Sequence, residues 1–166
     1  MKFEEAKQKY IQAWGTLGSS WGISRTMAQV HALLMISKDP LSTDEIMEEL
    51  VISRGNANMN IRMLIDWGLA EKILIPGERK EFFSSQKDIM ALGAQVAKER
   101  KKRELEPILK LLSEVREVEG SSEEVKEFKK VTNDLYDFAN QAEKVLSLFI
   151  GSNKSWFFKV LGKIKL

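Results

Sequence analysis

The run Ser53-Arg-Gly-Asn-Ala-Asn-Met-Asn-Ile-Arg-Met-Leu64 holds the residue types best suited to chemistry outside the chain. Serine is a favoured helix N-cap, so a helix is expected to begin there. With Ala57, Ile61, Leu64 and Ile65 turned inward, a helical wheel puts Gly55, Asn58, Met59 and Arg62 outward. Asn56 and Met63 flank that face, and Arg54 sits in the exposed first turn. Asparagine can pair with two atoms of adenine, arginine with guanine or a phosphate, and methionine with a thymine methyl. Gly55 would let a backbone approach closely, and the helix N-terminus itself attracts phosphate. No acid lies between Arg54 and Leu64. Downstream, Arg79 and Lys80 stand at the tip of Pro76-Gly-Glu-Arg-Lys80, where a groove-inserted arginine or phosphate contact is expected. The implied interface with double-stranded DNA is therefore Ser53, Arg54, Gly55, Asn56, Asn58, Met59, Arg62, Arg79 and Lys80. Arg54, Arg62, Arg79 and Lys80 would supply affinity through phosphates, and Asn56, Asn58 and Met59 would discriminate bases.

Singly, each feature has a plainer reading: an Asn-rich helix can be merely solvated, and a basic hairpin tip is common on surfaces. The order of the elements is more telling. Ser42 and Glu45 have the spacing of a capping box, so a bracing helix with Ile46, Met47 and Leu50 inward precedes Val51-Ile52 and the Ser53 helix. Gly68 ends that second helix. Two short strands follow, Leu69–Ile75 and Glu81–Ser85, around the Pro-Gly turn. Helix, tight connection, helix and two-stranded hairpin make a winged helix-turn-helix, with a recognition helix over about 53–67 and a wing over about 69–85. Charge argues the other way. Residues 38–80 carry six basic and eight acidic side chains, so the acids are expected on the bracing helix or away from the groove-facing surface.

Around this module the chain reads as helical. Phe3, Ala6, Tyr10, Ala13 and Leu17 mark one face of an N-terminal helix ending near Leu17, after which Gly15, Gly18 and Gly22 loosen the chain. A second helix starts near Ser24 or Arg25 and stops before Pro40. Ser85 and Asp88 would cap a helix carrying Ile89, Leu92 and Val96 inward, and Pro107 must kink or break it. Leu105, Ile108, Leu112 and Val115 resume an apolar stripe. A capping box at Ser121–Glu124 opens a long helix with Phe128, Val131, Leu135, Phe138, Ala142, Val145 and Phe149 on one side. The fold class expected is mainly α (α+β), divided into an N-terminal helix at 1–20, a winged module at 21–86 and a helical region at 87–166. The stripes exceed what one small winged module can cover, so a homodimer is expected to bury them.

Composition narrows the rest. Among 166 residues there is one histidine and no cysteine, which removes zinc ribbons, disulfides and most metal clusters. Nothing resembles a phosphate loop or a nucleophile constellation, so no enzyme and no cofactor is expected. His31 reads as a structural histidine. Tyr10, Trp14, Trp21 and Trp67 could surround a quaternary ammonium, but they are scattered and fit core packing better. The KERKKR run at 98–103 reads as a solvated helix face with an option on flanking phosphates. The tail Ser155–Leu166 is basic and amphipathic; docking onto the dimer's own helices is preferred over a membrane surface. No signal peptide and no spanning segment is read, so a cytoplasmic, nucleoid-associated protein is expected.

Taken together, Trp21-Gly-Ile-Ser-Arg-Thr-Met, Pro40-Leu-Ser-Thr-Asp-Glu-Ile46, Ile52-Ser-Arg-Gly-Asn-Ala-Asn-Met-Asn60, Asp66-Trp-Gly-Leu69 and Pro76-Gly-Glu-Arg-Lys80 resemble the GbsR branch of the MarR-type winged-helix transcriptional regulators. The likeness covers residues 10–85 well and the helical remainder only in pattern. It implies a homodimer whose N- and C-terminal helices interlock while two winged modules read a palindromic operator. It also implies Ser53–Arg62 as recognition helix and Arg79 as wing contact; some members respond to choline-like osmolytes, which leaves a small-molecule effector as a candidate partner with no sensing residue carried over to this sequence. A two-fold pair would space the recognition helices about 34 Å apart, one turn of DNA. The rival from another class is a helical adaptor whose winged module binds a protein; steep salt dependence on duplex DNA separates the two.

Overall fold

The computed structural model describes residues 1–151. It divides into a unit from Met1 to Leu92 and a second from Gly93 onward.

The first unit is built on α2 (Arg25–Ile36), which Ser24 caps by accepting a hydrogen bond from the Met27 amide at 3.0 Å. Met27, Ala28, Val30, Ala32, Leu33 and Leu34 are all buried, as befits a helix apolar on nearly every side. α1 (Phe3–Ser20) packs along it. Its contact face is not the one that apolar periodicity predicts. Ile11, Gly15 and Gly18 face α2, whereas Phe3, Ala6, Ala13 and Leu17 are exposed. Gly15 and Gly18 do not loosen the chain; they let two helices touch. A Cβ on Gly18 would lie 2.3 Å from the Ala28 Cβ, closer than any atoms can pack. Because the small residues form the seam, the helix continues through them to Ser20.

After α2 come β1 (Leu41–Ser42), α3 (Thr43–Leu50) and α4 (Arg54–Asp66). The Ser42–Glu45 capping box forms as expected: the Glu45 amide donates to the Ser42 hydroxyl at 3.3 Å, and the Ser42 amide donates to the Glu45 carboxylate at 2.7 Å. Val51, with φ 53°, joins α3 to the following helix in left-handed geometry. Ala57, Ile61 and Leu64 are buried, but Ile65 is exposed and belongs to the outer surface. Asn60 takes a fourth inward place and is fully buried. Gly68, with φ 65°, closes α4.

The wing is β2 (Ala70–Ile73) and β3 (Phe82–Ser85), antiparallel, with β1 completing a three-stranded sheet of order β1-β3-β2. Two residues carry no periodicity, so β1 is invisible in the sequence; it exists through pairing with Phe82 and Phe83. Lys87 then ties the segment after the wing to the end of α2, its ammonium donating to the carbonyls of Leu34 (2.7 Å), Met35 (3.0 Å) and Ser37 (2.7 Å).

The division between units falls within α5 (Ile89–Arg100). Its cap is Asp88, whose carboxylate accepts from the amides of Met90 at 2.8 Å and Ala91 at 3.2 Å. Ser85 takes no part in the cap, contrary to the expectation from sequence. It is the last residue of β3, and its hydroxyl donates to the Leu69 carbonyl at 2.9 Å. Ile89 is exposed rather than inward.

In the second unit the break demanded by Pro107 takes the form of a π-helical turn, Lys101–Leu105, leading into α6 (Glu106–Val115). The wider turn lets the chain proceed past a residue without an N–H. α7 (Glu123–Gly151) follows, with the Ser122 hydroxyl accepting from the Val125 amide at 3.3 Å. α6 and α7 pack together, and Arg116 lies 4.2 Å over the Tyr136 ring. Much of the apolar stripe of α7 is uncovered: Phe128, Val131, Leu135, Phe138 and Val145 are exposed. The amphipathic tail lies outside the described residues.

Candidate DNA-binding surface

The first turn of α4 is set by Ser53, which accepts from the Asn56 amide at 3.3 Å. Arg54, Gly55, Met59, Arg62 and Met63 are exposed, so the outward face drawn from the sequence has these residues at its centre. A Cβ on Gly55 would meet nothing within 4 Å. Nothing in the chain itself requires glycine there.

The two asparagines are placed differently from the outward residues. Asn56 is half-buried, and its side-chain oxygen accepts from the Asn60 amide nitrogen at 2.7 Å. Asn60 also donates to the Asn56 carbonyl at 2.8 Å, and its oxygen accepts from the Ser24 hydroxyl at 2.9 Å. This buried chain of amides orients α4 on the start of α2. Reading adenine with two bonds requires both the oxygen and the nitrogen of an asparagine amide. Asn60 occupies one of the two acceptor positions of the Asn56 oxygen, leaving the other and the NH₂ group. Asn58 is likewise half-buried, and its oxygen accepts from the Thr43 hydroxyl at 3.4 Å. Sequence reasoning misses Asn60 because it is polar, although its spacing of three from Ala57 and four from Leu64 puts it on the inward face of the helix.

The cations fall into two pairs. Arg62 on α4 and Arg79 at the wing tip are exposed and have no ion-pair partner among the described residues. Arg54 and Lys80 converge on Asp44, in the first turn of α3: Arg54 meets Oδ1, and Lys80 meets Oδ2 at 3.0 Å. The Lys80 ammonium, then the Arg54 guanidinium, hold the Asp44 carboxyl below the usual aspartate range. Asp44 in turn raises the pKa of Lys80. Asp44 lies on the bracing helix, where most of the acids are expected, yet it meets the basic surface, because the helix-turn-helix brings the start of α3 beside the start of α4. At the stem of the wing, Lys72 pairs with Glu81.

The remaining chemical candidates are engaged within the chain only in part. His31 is buried, with burial lowering its pKa to about 4 and no hydrogen-bond partner for Nε2. Tyr10 stacks on Trp14 at 5.6 Å, and Trp14 meets Trp21 edge-on at 6.2 Å, so three of the four aromatics form a row after all. They contact one another instead of surrounding a space. In the basic run, Lys101 pairs with Glu143 at 2.7 Å, Arg103 with Glu99 at 3.1 Å and Arg100 with Glu104 at 3.5 Å. Among the described residues no group of three His, Asp or Glu side chains could hold a metal, and no helix is long and apolar enough to cross a membrane.

No protein-family model matches the chain. It is similar to the putative HTH-type transcriptional regulator YvaV of Bacillus subtilis (strain 168), 22% identical over 156 residues, covering 88% of each chain. The HTH-type transcriptional repressor OpcR of the same organism is 24% identical over 85 residues, 51% of this chain and 46% of that one. The HTH-type transcriptional regulator MmpR5 of Mycobacterium tuberculosis (strain ATCC 25618 / H37Rv) is 26% identical over 86 residues, 51% of this chain and 52% of that one. The chain thus spans about half the length of the latter two. A solved structure titled as a transcriptional regulator superposes with a TM-score of 0.69 at 18% identity, covering 88% of this chain and 96% of the other, so the two share a fold. The homologues are transcriptional regulators of the helix-turn-helix type.

Proposed function

From a winged helix-turn-helix whose relatives regulate transcription, we propose that this chain is a transcriptional regulator binding double-stranded operator DNA as a homodimer. α4 enters the major groove, and Arg79 reaches the adjacent groove or backbone. The observation that carries the reading is the pairing of Arg62 and Arg79, exposed and without an intrachain acid, with Gly55 and Met59 on a helix free of acids until Asp66. Arg62 and the α4 N-terminus take phosphate or guanine, and Met59 meets apolar base edges. Asn56 and Asn58 contribute through their NH₂ groups and the remaining lone pair of each oxygen, the other lone pair being engaged within the chain.

Dimerisation is supported by the uncovered stripe of α7, where Phe138 is 72% and Val145 66% exposed. A surface of that kind on a water-soluble chain calls for a partner, and a second copy presents the same stripe. Two-fold pairing makes a palindromic operator the matching target.

Selection of bound fragments from random duplex DNA, with the mass of the complex measured by light scattering, tests both parts. The expected result is enrichment of two half-sites related by a dyad, bound by two chains. Arg79→Ala and Arg62→Ala should weaken binding and lower its salt dependence by about one ion each. Absence of any enriched sequence, or complexes with a protein that ignore salt, would replace this reading with the adaptor.

A further inference from the structure

We infer that Asp44 is a built-in competitor of DNA: its carboxylate stands in for a DNA phosphate between Arg54 and Lys80, and thereby holds down the affinity for every duplex. The inference rests on the DNA-binding reading above. Its physical basis is the way three separate elements meet at one anion. Arg54 comes from the first turn of α4, Lys80 from the wing, and Asp44 from the first turn of α3. Each cation takes a different oxygen of the same carboxylate. Two cations that grip two oxygens of one anion form the arrangement that also grips the two non-bridging oxygens of a phosphodiester. All three side chains are substantially exposed, so the carboxylate can be displaced without opening the core.

The charge arithmetic gives the consequence. Arg54 and Lys80 alone would present two positive charges beside the recognition helix; with Asp44 the site presents one. Non-specific affinity comes almost wholly from phosphate neutralisation, so a site with half its positive charge already neutralised contributes less to binding any random duplex. A cognate duplex adds the base-edge contacts of α4, which offset the loss of the internal ion pairs and hold a phosphate where Asp44 had been. The acid also lowers the local field that steers DNA to the surface, so its cost falls on association with every duplex.

The test compares the full-length wild type with Asp44→Asn, on the selected duplex and on a random duplex of equal length, across a salt series. Asparagine keeps the shape while removing the charge. Asp44→Asn is expected to tighten random-duplex binding about 10-fold at low salt and to steepen its salt dependence by about one ion. Cognate affinity should rise by at least as much, because a cognate duplex that displaces the carboxylate is spared the loss of both ion pairs. Adding Lys80→Gln to Asp44→Asn should return the random-duplex affinity toward wild type, and unchanged thermal midpoints would confirm that both variants fold. If wild type binds selectively and Asp44→Asn matches it on both duplexes, the inference is wrong while the DNA reading stands. If Asp44→Asn loses cognate affinity without gaining random affinity, Asp44 positions Arg54 and Lys80, and the inference is again wrong. Wild type that binds no duplex in a salt-dependent way would overturn the functional reading and this inference with it.

Discussion

Gly55 offers a prediction with two readouts of opposite sign. It occupies the second position of α4, where glycine costs about 0.5–1 kcal/mol relative to alanine because more backbone freedom is lost on folding. The space around it is open, with no heavy atom within 4 Å of where a Cβ would stand. Gly55→Ala should therefore stabilise the protein by about 0.5–1 kcal/mol, a rise in melting temperature of about 1–4 °C for a chain of this size. The same methyl group would stand on the face assigned to DNA, where glycine lets the backbone come within hydrogen-bonding range of the duplex. Holding the helix off by a methyl radius should weaken operator binding by about 1–3 kcal/mol, or roughly 5- to 150-fold. Thermal unfolding by circular dichroism and fluorescence anisotropy with labelled operator measure the two effects on one preparation. A variant more stable than wild type that binds operator equally well would refute the placement of Gly55 against DNA. A destabilised variant would refute the claim that the site is open.

Three further outcomes are expected. His31 is buried neutral, with its pKa lowered from 6.5 to about 4, so the unfolded chain binds the extra proton first on acidification. That contribution to stability, about 3 kcal/mol, is whole above pH 6.5 and lost as pH falls to about 4; urea midpoints across this range should fall more steeply for wild type than for His31→Gln. Gly18→Ala should destabilise by about 1–3 kcal/mol despite alanine's better helix propensity, because its Cβ would collide with that of buried Ala28; a gain in urea midpoint would show that α1 and α2 separate freely. Val51, a β-branched residue in left-handed geometry and 90% exposed, stores strain without packing in return, so Val51→Gly should stabilise by about 1 kcal/mol in the same assay.

Local rules make several features readable before any coordinates: the Ser42–Glu45 capping box, Ser53 as N-cap, Gly68 as helix end and Pro76-Gly77 as a turn each depend on residues a few places apart. The inward set Ala57, Ile61 and Leu64 is readable for the same reason, since period 3.6 is a property of one helix. The errors lie where two helices compete for a face. α1 offers an aromatic and aliphatic side and a glycine side, and periodicity favours the first; α2 selected the second because close approach buries more backbone surface.

Amino-acid order alone determined the helices, the wing hairpin and the residue types along the outer edge of α4, though not β1, because capping, turn chemistry and helical period act over a few residues. Tertiary structure alone decided which of those side chains were already engaged. Asn60 engaged one lone pair of the Asn56 oxygen, and Asp44 came from ten positions upstream of Arg54 to sit between it and Lys80. Hydrogen bonds and ion pairs act over a few ångströms in space, whatever separates their partners along the chain, and folding sets that distance.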